Sequence, residues 1–137
     1  GPAVTILLDT HVWIWWVMGA KQLGHAARAE LDRLAGRRAL ALSAMSLWEA
    51  QMLHSRGRLE FPPSFADWVA VTTRSELVTV LPVDRDVVLA IDGLPESFHG
   101  DPADRCIVAT ARLHALALAT RDARIRRSRA VEVWKGR

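Results

Sequence analysis

Val4-Thr5-Ile6-Leu7-Leu8-Asp9-Thr10 is an apolar, β-prone run that stops at an acid. Its side chains do not alternate cleanly between apolar and polar. That pattern suits a central parallel strand buried on both faces. A second run of the same kind, Leu116-Ala117-Leu118-Ala119-Thr120, leads into Arg121-Asp122. Shorter strand-like runs occur at Ala39–Leu42 and Val78–Leu81, and Val131–Trp134 reads as an edge strand.

Helical patterns separate these runs. Thr10 is placed to cap a helix from His11 to Met18, which Gly19 ends. His25–Arg37 carries the stripe Ala27, Leu31 and Leu34, with Gly36 at its end. Ser43 caps Ala44–Arg56, which stops at Gly57. Pro62-Pro63 breaks the chain, Ser64 caps a helix through Thr72, and Asp84 starts one ending at Gly93. Pro102 fits the first position of a helix running to His114, and Asp122–Arg127 forms a last turn or short helix. Alternating strands and helices predict an α/β fold with a mostly parallel central sheet covered on both faces. In such sheets the functional crevice lies beyond the carboxyl ends of the strands, where Asp9 and Asp122 fall.

Two more acids point inward. Met45, Trp48 and Met52 share one helical face, and Glu49 falls on it. Asp104 opens the stripe continued by Ile107, Val108 and Ala111, within reach of a helix N-terminus that favours an ionised carboxylate. Each acid alone has a plain reading as a cap, a dipole partner or an ion-pair member. Together the four have one common explanation. Carboxylates against a core are costly unless a positive charge compensates them. With no His or Cys nearby in sequence, oxygen-only ligation selects Mg²⁺ or Mn²⁺. Such an ion lowers the pKa of bound water and neutralises a phosphoryl oxygen, which makes the chain a candidate phosphodiesterase.

Size and composition agree with this reading. A chain of 137 residues, half apolar and 24% charged, is one ordinary globular domain over residues 3–137. Gly1-Pro2 reads as a protease-cleavage scar. The single cysteine, Cys106, excludes an internal disulfide and a multi-cysteine zinc site, and reads as a core residue. There is no signal-peptide pattern and no apolar run long enough to span a membrane, so a cytoplasmic protein is expected. The formal charge of +3 is concentrated late in the chain, in Arg121, Arg124, Arg126, Arg127, Arg129, Lys135 and Arg137. A basic stripe beside an acidic metal site suits a phosphodiester substrate, and a solvated surface is the alternative.

Four segments carry a resemblance to a known family. They are Leu7-Leu8-Asp9-Thr10-His11-Val12-Trp13, Ser43-Ala44-Met45-Ser46-Leu47-Trp48-Glu49, His99-Gly100-Asp101-Pro102-Ala103-Asp104-Arg105 with Ile107–Ala111, and Thr120-Arg121-Asp122. In this order and spacing, over essentially the whole chain, the sequence resembles PIN-domain ribonucleases, most closely the VapC-type toxins of bacterial toxin–antitoxin pairs. The resemblance implies a three-layer α/β/α sandwich. It also implies Mg²⁺- or Mn²⁺-dependent endoribonuclease activity leaving 5′-phosphate and 3′-hydroxyl ends, neutralisation by a VapB-type antitoxin, and a homodimer. Carried over, Asp9, Glu49, Asp104 and Asp122 are the metal-binding acids. Thr10, Ser43 and Thr120 are hydroxyls supporting them. Asp101 is either a further ligand or an N-cap. Arg105, Arg121 and Arg124 are expected to hold the RNA backbone, giving affinity more than sequence choice.

Other residues and fold types were weighed against this. Of six tryptophans, Trp13 and Trp16 share a face with Val17 and read as core, whereas Trp15 points elsewhere, towards an interface. His99 borders the Asp101 loop. No Gly-x-Ser-x-Gly elbow and no phosphate-binding glycine loop occurs. A receiver domain would need a lysine on a late strand, and none lies between Lys21 and Lys135. The rival classes are a non-catalytic PIN-fold module binding RNA or protein, and a DNA nuclease or small phosphatase using the same ions.

Overall fold

Leu7 has no exposed surface, and neither do Leu8 beside it and Leu42 and Leu118 on the flanking strands. Burial of that kind needs layers on both sides, which is how the chain folds. The computed structural model describes residues 5–58, 60 and 64–136. The expectations at Gly1-Pro2, Val4, Pro62-Pro63 and Arg137 lie outside the described residues.

The elements follow in the order β1 (Ile6–Leu8), α1 (Thr10–Met18), a 3-10 turn (Lys21–Leu23), α2 (His25–Gly36), β2 (Leu40–Ser43), α3 (Ala44–Ser55), α4 (Phe65–Thr72), β3 (Thr79–Leu81), α5 (Arg85–Asp92), α6 (Pro102–Leu113), β4 (Ala117–Ala119) and α7 (Ala123–Ser128). The sheet runs β3-β2-β1-β4 with every pair parallel. Leu7 stands opposite Ala41 on β2 and Leu118 on β4. The two-residue period of the strands divides the core. Ile6, Leu8, Leu40, Leu42 and Ala119 face one cluster with α1, α2 and Trp68 of α4. Leu7, Ala41 and Leu118 face the other, with α6 and Ile125 of α7. The fold is therefore α/β with a parallel sheet between helical layers, as expected.

Several local details depart from the sequence reading. Asp9, not Thr10, caps α1: it holds extended backbone (φ −67°, ψ 153°) and its side chain accepts from the Thr10 N–H, so Thr10 is already helical. Gly19 ends that helix in the left-handed region at φ 68°, where a side chain would be strained. The expected edge strand at 131–134 shrinks to one parallel bridge between Leu118 and Val133. On α3 the inward residues are Ser46 and Ala50, with Leu47 and Leu53 packed partly beneath. Trp48, expected on the inward stripe, is 51% exposed. The face from Ser46 through Glu49 and Ala50 to Leu53 keeps the same helical spacing but looks about one residue round from the Met45–Trp48–Met52 reading. Trp13 and Trp16 are buried as expected, and Trp13 packs on Trp68 with ring centroids 5.0 Å apart.

Candidate functional site

The strand order reverses at β1: the chain moves from β1 out to β2 and β3, then returns to place β4 on β1's other side. A crevice opens beyond the carboxyl ends of two strands that diverge in this way. Here it is a cleft of ≈ 260 Å³ lined by Asp9, His11, Trp15, Glu49, Asp101, Asp104, Arg121, Asp122 and Arg124. The four acids singled out from the sequence line this one cleft, together with Asp101, Arg121 and Arg124. Arg105 does not line it; its guanidinium donates to the Phe98 carbonyl oxygen (3.4 Å).

Asp9 follows β1 and is only 6% exposed. Its Oδ1 accepts from Thr10 N–H (2.9 Å) and its Oδ2 from the Thr120 hydroxyl (2.7 Å). Thr120 Oγ1 also accepts from Asp122 N–H (3.1 Å), so one hydroxyl ties the end of β1 to the end of β4. Glu49 comes in from α3, and the Thr10 hydroxyl donates to its Oε1. With that proton committed, Ser46 Oγ, 2.8 Å from Thr10 Oγ1, donates to Thr10 in turn. Ser43 works one step back: its hydroxyl caps α3 by accepting from Met45 N–H (3.0 Å), fixing the helix that carries Glu49.

Asp104 and Asp122 are held differently. Asp104, in the first turn of α6, has its Oδ2 2.7 Å from His99 Nε2 and 3.5 Å from Arg124 Nη2. Asp122 caps α7 through Oδ1, which accepts from Arg124 N–H (2.8 Å) and Ile125 N–H (3.1 Å). Its Oδ2 lies 3.8 Å from Arg124 Nη2, so that one guanidinium spans the two acids. Asp101 is the N-cap of α6, its Oδ1 accepting from Asp104 N–H (2.9 Å).

Burial raises the pKa of Asp9, of Glu49 and of Asp104 above the ordinary carboxylate range. Hydrogen bonds from Thr120, Thr10 and His99 pull each partly back. Asp104 pushes Asp9 and Glu49 up further through charge repulsion, as Asp101 and Asp122 push Asp104. The cleft is short of positive charge: five carboxylates line it against the two arginines. That donor set suits a divalent cation in chemistry and in place. As the side chains stand, however, no three His, Cys, Asp or Glu side chains among the described residues are grouped to hold a metal ion. Each acid is occupied by the chain's own hydroxyls, amides and cations instead. Arg124 reaches only Asp104 and Asp122, so no single buried cation serves all four acids. The expectation of a histidine-free neighbourhood is corrected by His11, which lines the cleft, and by His99.

The sequence assigns no separate site role to Ser46 or His11, and Trp15, read as an interface residue, lines the cleft. Ser46 carries a signal in hindsight, because it sits three residues before Glu49 on the same helical face. His11 and Trp15 lie four apart on α1 with ring centroids 6.1 Å apart, and both line the cleft.

Comparison with known proteins gives concordant findings. The PIN domain family matches residues 6–130. Ribonuclease VapC22 of Mycobacterium tuberculosis is 35% identical over 133 residues, which is 95% of this chain and 98% of that protein. Among solved structures, VapBC2 from Rickettsia felis, bound to a DNA fragment from its promoter, shares the fold at TM-score 0.71 and 12% identity, covering 96% of this chain and 98% of its own. FitAcB from Neisseria gonorrhoeae gives TM-score 0.68 at 25% identity, with the same coverage.

Proposed function

The chain belongs to the PIN-domain family, and on that premise we propose that it is a divalent-metal-dependent endoribonuclease of the VapC toxin type. The observation that carries the reading is the convergence of Asp9, Glu49, Asp104 and Asp122, from four separate segments, on one cleft at the β1–β4 switch point. The likeness to Ribonuclease VapC22 along nearly the whole chain supports RNA as the substrate.

Asp9, Glu49, Asp104 and Asp122 would hold Mg²⁺ or Mn²⁺, while Asp101 serves as the cap of α6. When bound there, the ion supplies an acidified water and neutralises charge on the scissile phosphate. The rest of the chemistry belongs to the chain's own groups. Thr10 and Thr120 fix the carboxylate planes of Glu49 and Asp9, and Thr120 sets the distance between the β1 and β4 ends. Arg121 and Arg124 border the cleft and hold the RNA backbone, so Arg124 trades its carboxylate contacts for a phosphate. The products carry 5′-phosphate and 3′-hydroxyl ends.

VapBC complexes among the fold neighbours support a cognate VapB-type antitoxin as partner. A homodimer and a cytoplasmic setting complete the proposal; among the described residues no helix is long and apolar enough to cross a membrane. A second reading, a PIN-fold module that binds RNA or protein without cutting, draws on the internal compensation of the acids. The deciding experiment incubates the protein with a mixed small-RNA pool plus Mg²⁺, Mn²⁺ or EDTA, with Glu49→Gln as control. Fragments that need metal and are absent from the control support the nuclease. No fragments, and no Mn²⁺ binding by calorimetry, would leave the non-catalytic module standing.

A further inference from the structure

Two hollows lie in a row beside the acidic cleft, each sharing lining residues with the next. The first, ≈ 170 Å³, includes Thr120, Arg121, Arg126, Trp134 and Lys135 in its lining. It shares Arg121 with the catalytic cleft. The second, ≈ 530 Å³, shares Arg126 and Lys135 with the first and adds Arg129. The three spaces are therefore neighbours, from the acids past α7 to the segment that follows it.

The walls of this row are braced. Ile125 is fully buried and anchors α7. The 131–134 segment is pinned to the outer side of β4: Leu118 N–H donates to the Glu132 carbonyl oxygen (2.8 Å) and Trp134 N–H to that of Leu118 (2.9 Å). Arg112 Nη1 donates to the Ala130 carbonyl oxygen (2.8 Å) and braces the turn between α7 and that segment. The charge along it is free. Among the described residues, Arg126, Arg129 and Lys135 form no ion pair, and Glu132 is the only acid lining the two hollows. A row of unpaired cations on a braced floor, next to the acidic cleft, fits a polyanion whose charges repeat along its length. A protein partner would look for apolar anchors. Those lie around Ile14, Trp15, Met18 and Leu53, in a hollow that shares no lining residue with the two basic ones.

We propose that Arg126, Arg129 and Lys135 form a substrate track, on which the backbone of single-stranded RNA runs from the acidic cleft past Arg121. This rests on the nuclease reading for the substrate class and adds its path across the surface. The track contributes affinity for long RNA and no base selection.

The test is fluorescence anisotropy of a labelled single-stranded RNA with the full-length protein in EDTA, over a range of salt. Arg126→Ala/Arg129→Ala/Lys135→Ala is compared with Arg56→Ala/Arg74→Ala/Arg85→Ala, which removes the same charge from exposed sites elsewhere. The track variant is expected to bind roughly tenfold or more weakly. Its log K versus log salt slope should be shallower by about 2, three single-strand contacts at about 0.7 each. The control variant should stay near wild type. Wild-type affinity and slope in the track variant, or an equal loss in the control, would overturn the track. So would loss of poly-glutamate binding with RNA binding retained, which would make the surface a protein groove. Failure of the wild type to cut any RNA with Mg²⁺ or Mn²⁺ would sink the nuclease reading alone, because the binding result is read without metal.

Discussion

The two halves of the cleft solve one problem in opposite ways. Asp9 and Glu49 are compensated by neutral donors: two threonine hydroxyls and one backbone amide. Asp104 and Asp122 are compensated by a histidine and an arginine as well as by amides. Neutral donors orient a carboxylate without cancelling its charge, so the first half stays electrostatically short of a cation. Arg124, which is 55% exposed, is a partner that can swing away when a phosphate arrives. The first half is thus built to hold position, and the second to exchange partners.

The sharpest way to break this comparison is Asp9→Asn. The amide keeps the shape and can still meet Thr10 and Thr120, while the charge is gone. RNA cleavage should fall by roughly two to three orders of magnitude, the scale of losing a preorganised charge partner. Thermal stability without metal should hold or rise. Wild-type turnover by a folded Asp9→Asn protein would remove the acids from the mechanism.

Thr120→Val comes next. It strips the hydroxyl from Asp9 Oδ2 and from Asp122 N–H at once. A destabilisation of about 1–3 kcal/mol is expected in chemical denaturation, because buried polar groups lose their partner. A neutral result would mean that the strand ends are tied by backbone pairing alone.

A pH effect follows from the raised pKa values. Asp9, Glu49 and Asp104 hold protons more tightly folded than unfolded. Their contribution is therefore fully present below the ordinary carboxylate pKa of about 4 and is lost as pH rises through the raised folded values. Metal-free protein should gain on the order of several degrees in Tm, relative to Asp9→Asn, as pH is lowered from about 7 toward that range. Mn²⁺ at neutral pH should restore the same stability. Parallel pH profiles for the two proteins would contradict the burial argument.

The smallest effect belongs to the exchangeable half. Arg124→Ala should weaken RNA binding a few-fold and uniformly across sequences, with a salt slope shallower by about 0.7. Stability should barely change for so exposed a pair. A loss as large as that of Asp9→Asn would make Arg124 part of the chemistry.

The halves also differ in how far the sequence revealed them. Asp9 and Asp122 were readable because each ends an apolar run, and strand ends are where α/β crevices form. Asp104 was readable because Ile107, Val108 and Ala111 continue its face, and all three are fully buried. Glu49 was placed inward by a stripe that the fold does not use, since Trp48 faces solvent and Ser46 and Ala50 face in. Periodicity fixes spacing on a helix, but the partner surface sets which face turns inward, and Thr10 lies 39 residues away. Arg124 escaped as a partner of Asp104 for the same reason, whereas His99, five residues before Asp104, was placed beside the Asp101 loop without its bond to that acid being read. The edge strand at 131–134 failed because Leu118 alone engages it, through both its N–H and its carbonyl.

The bond from Thr120 to Asp9 joins residues 111 positions apart. A nascent chain that has made β1, α3 and α6 therefore still lacks a working centre until β4 is synthesised and docks beside β1. At translation speeds of roughly 5–20 residues per second, the 111 positions between the two residues take on the order of ten seconds, so Asp9 is made well before the hydroxyl that orients it.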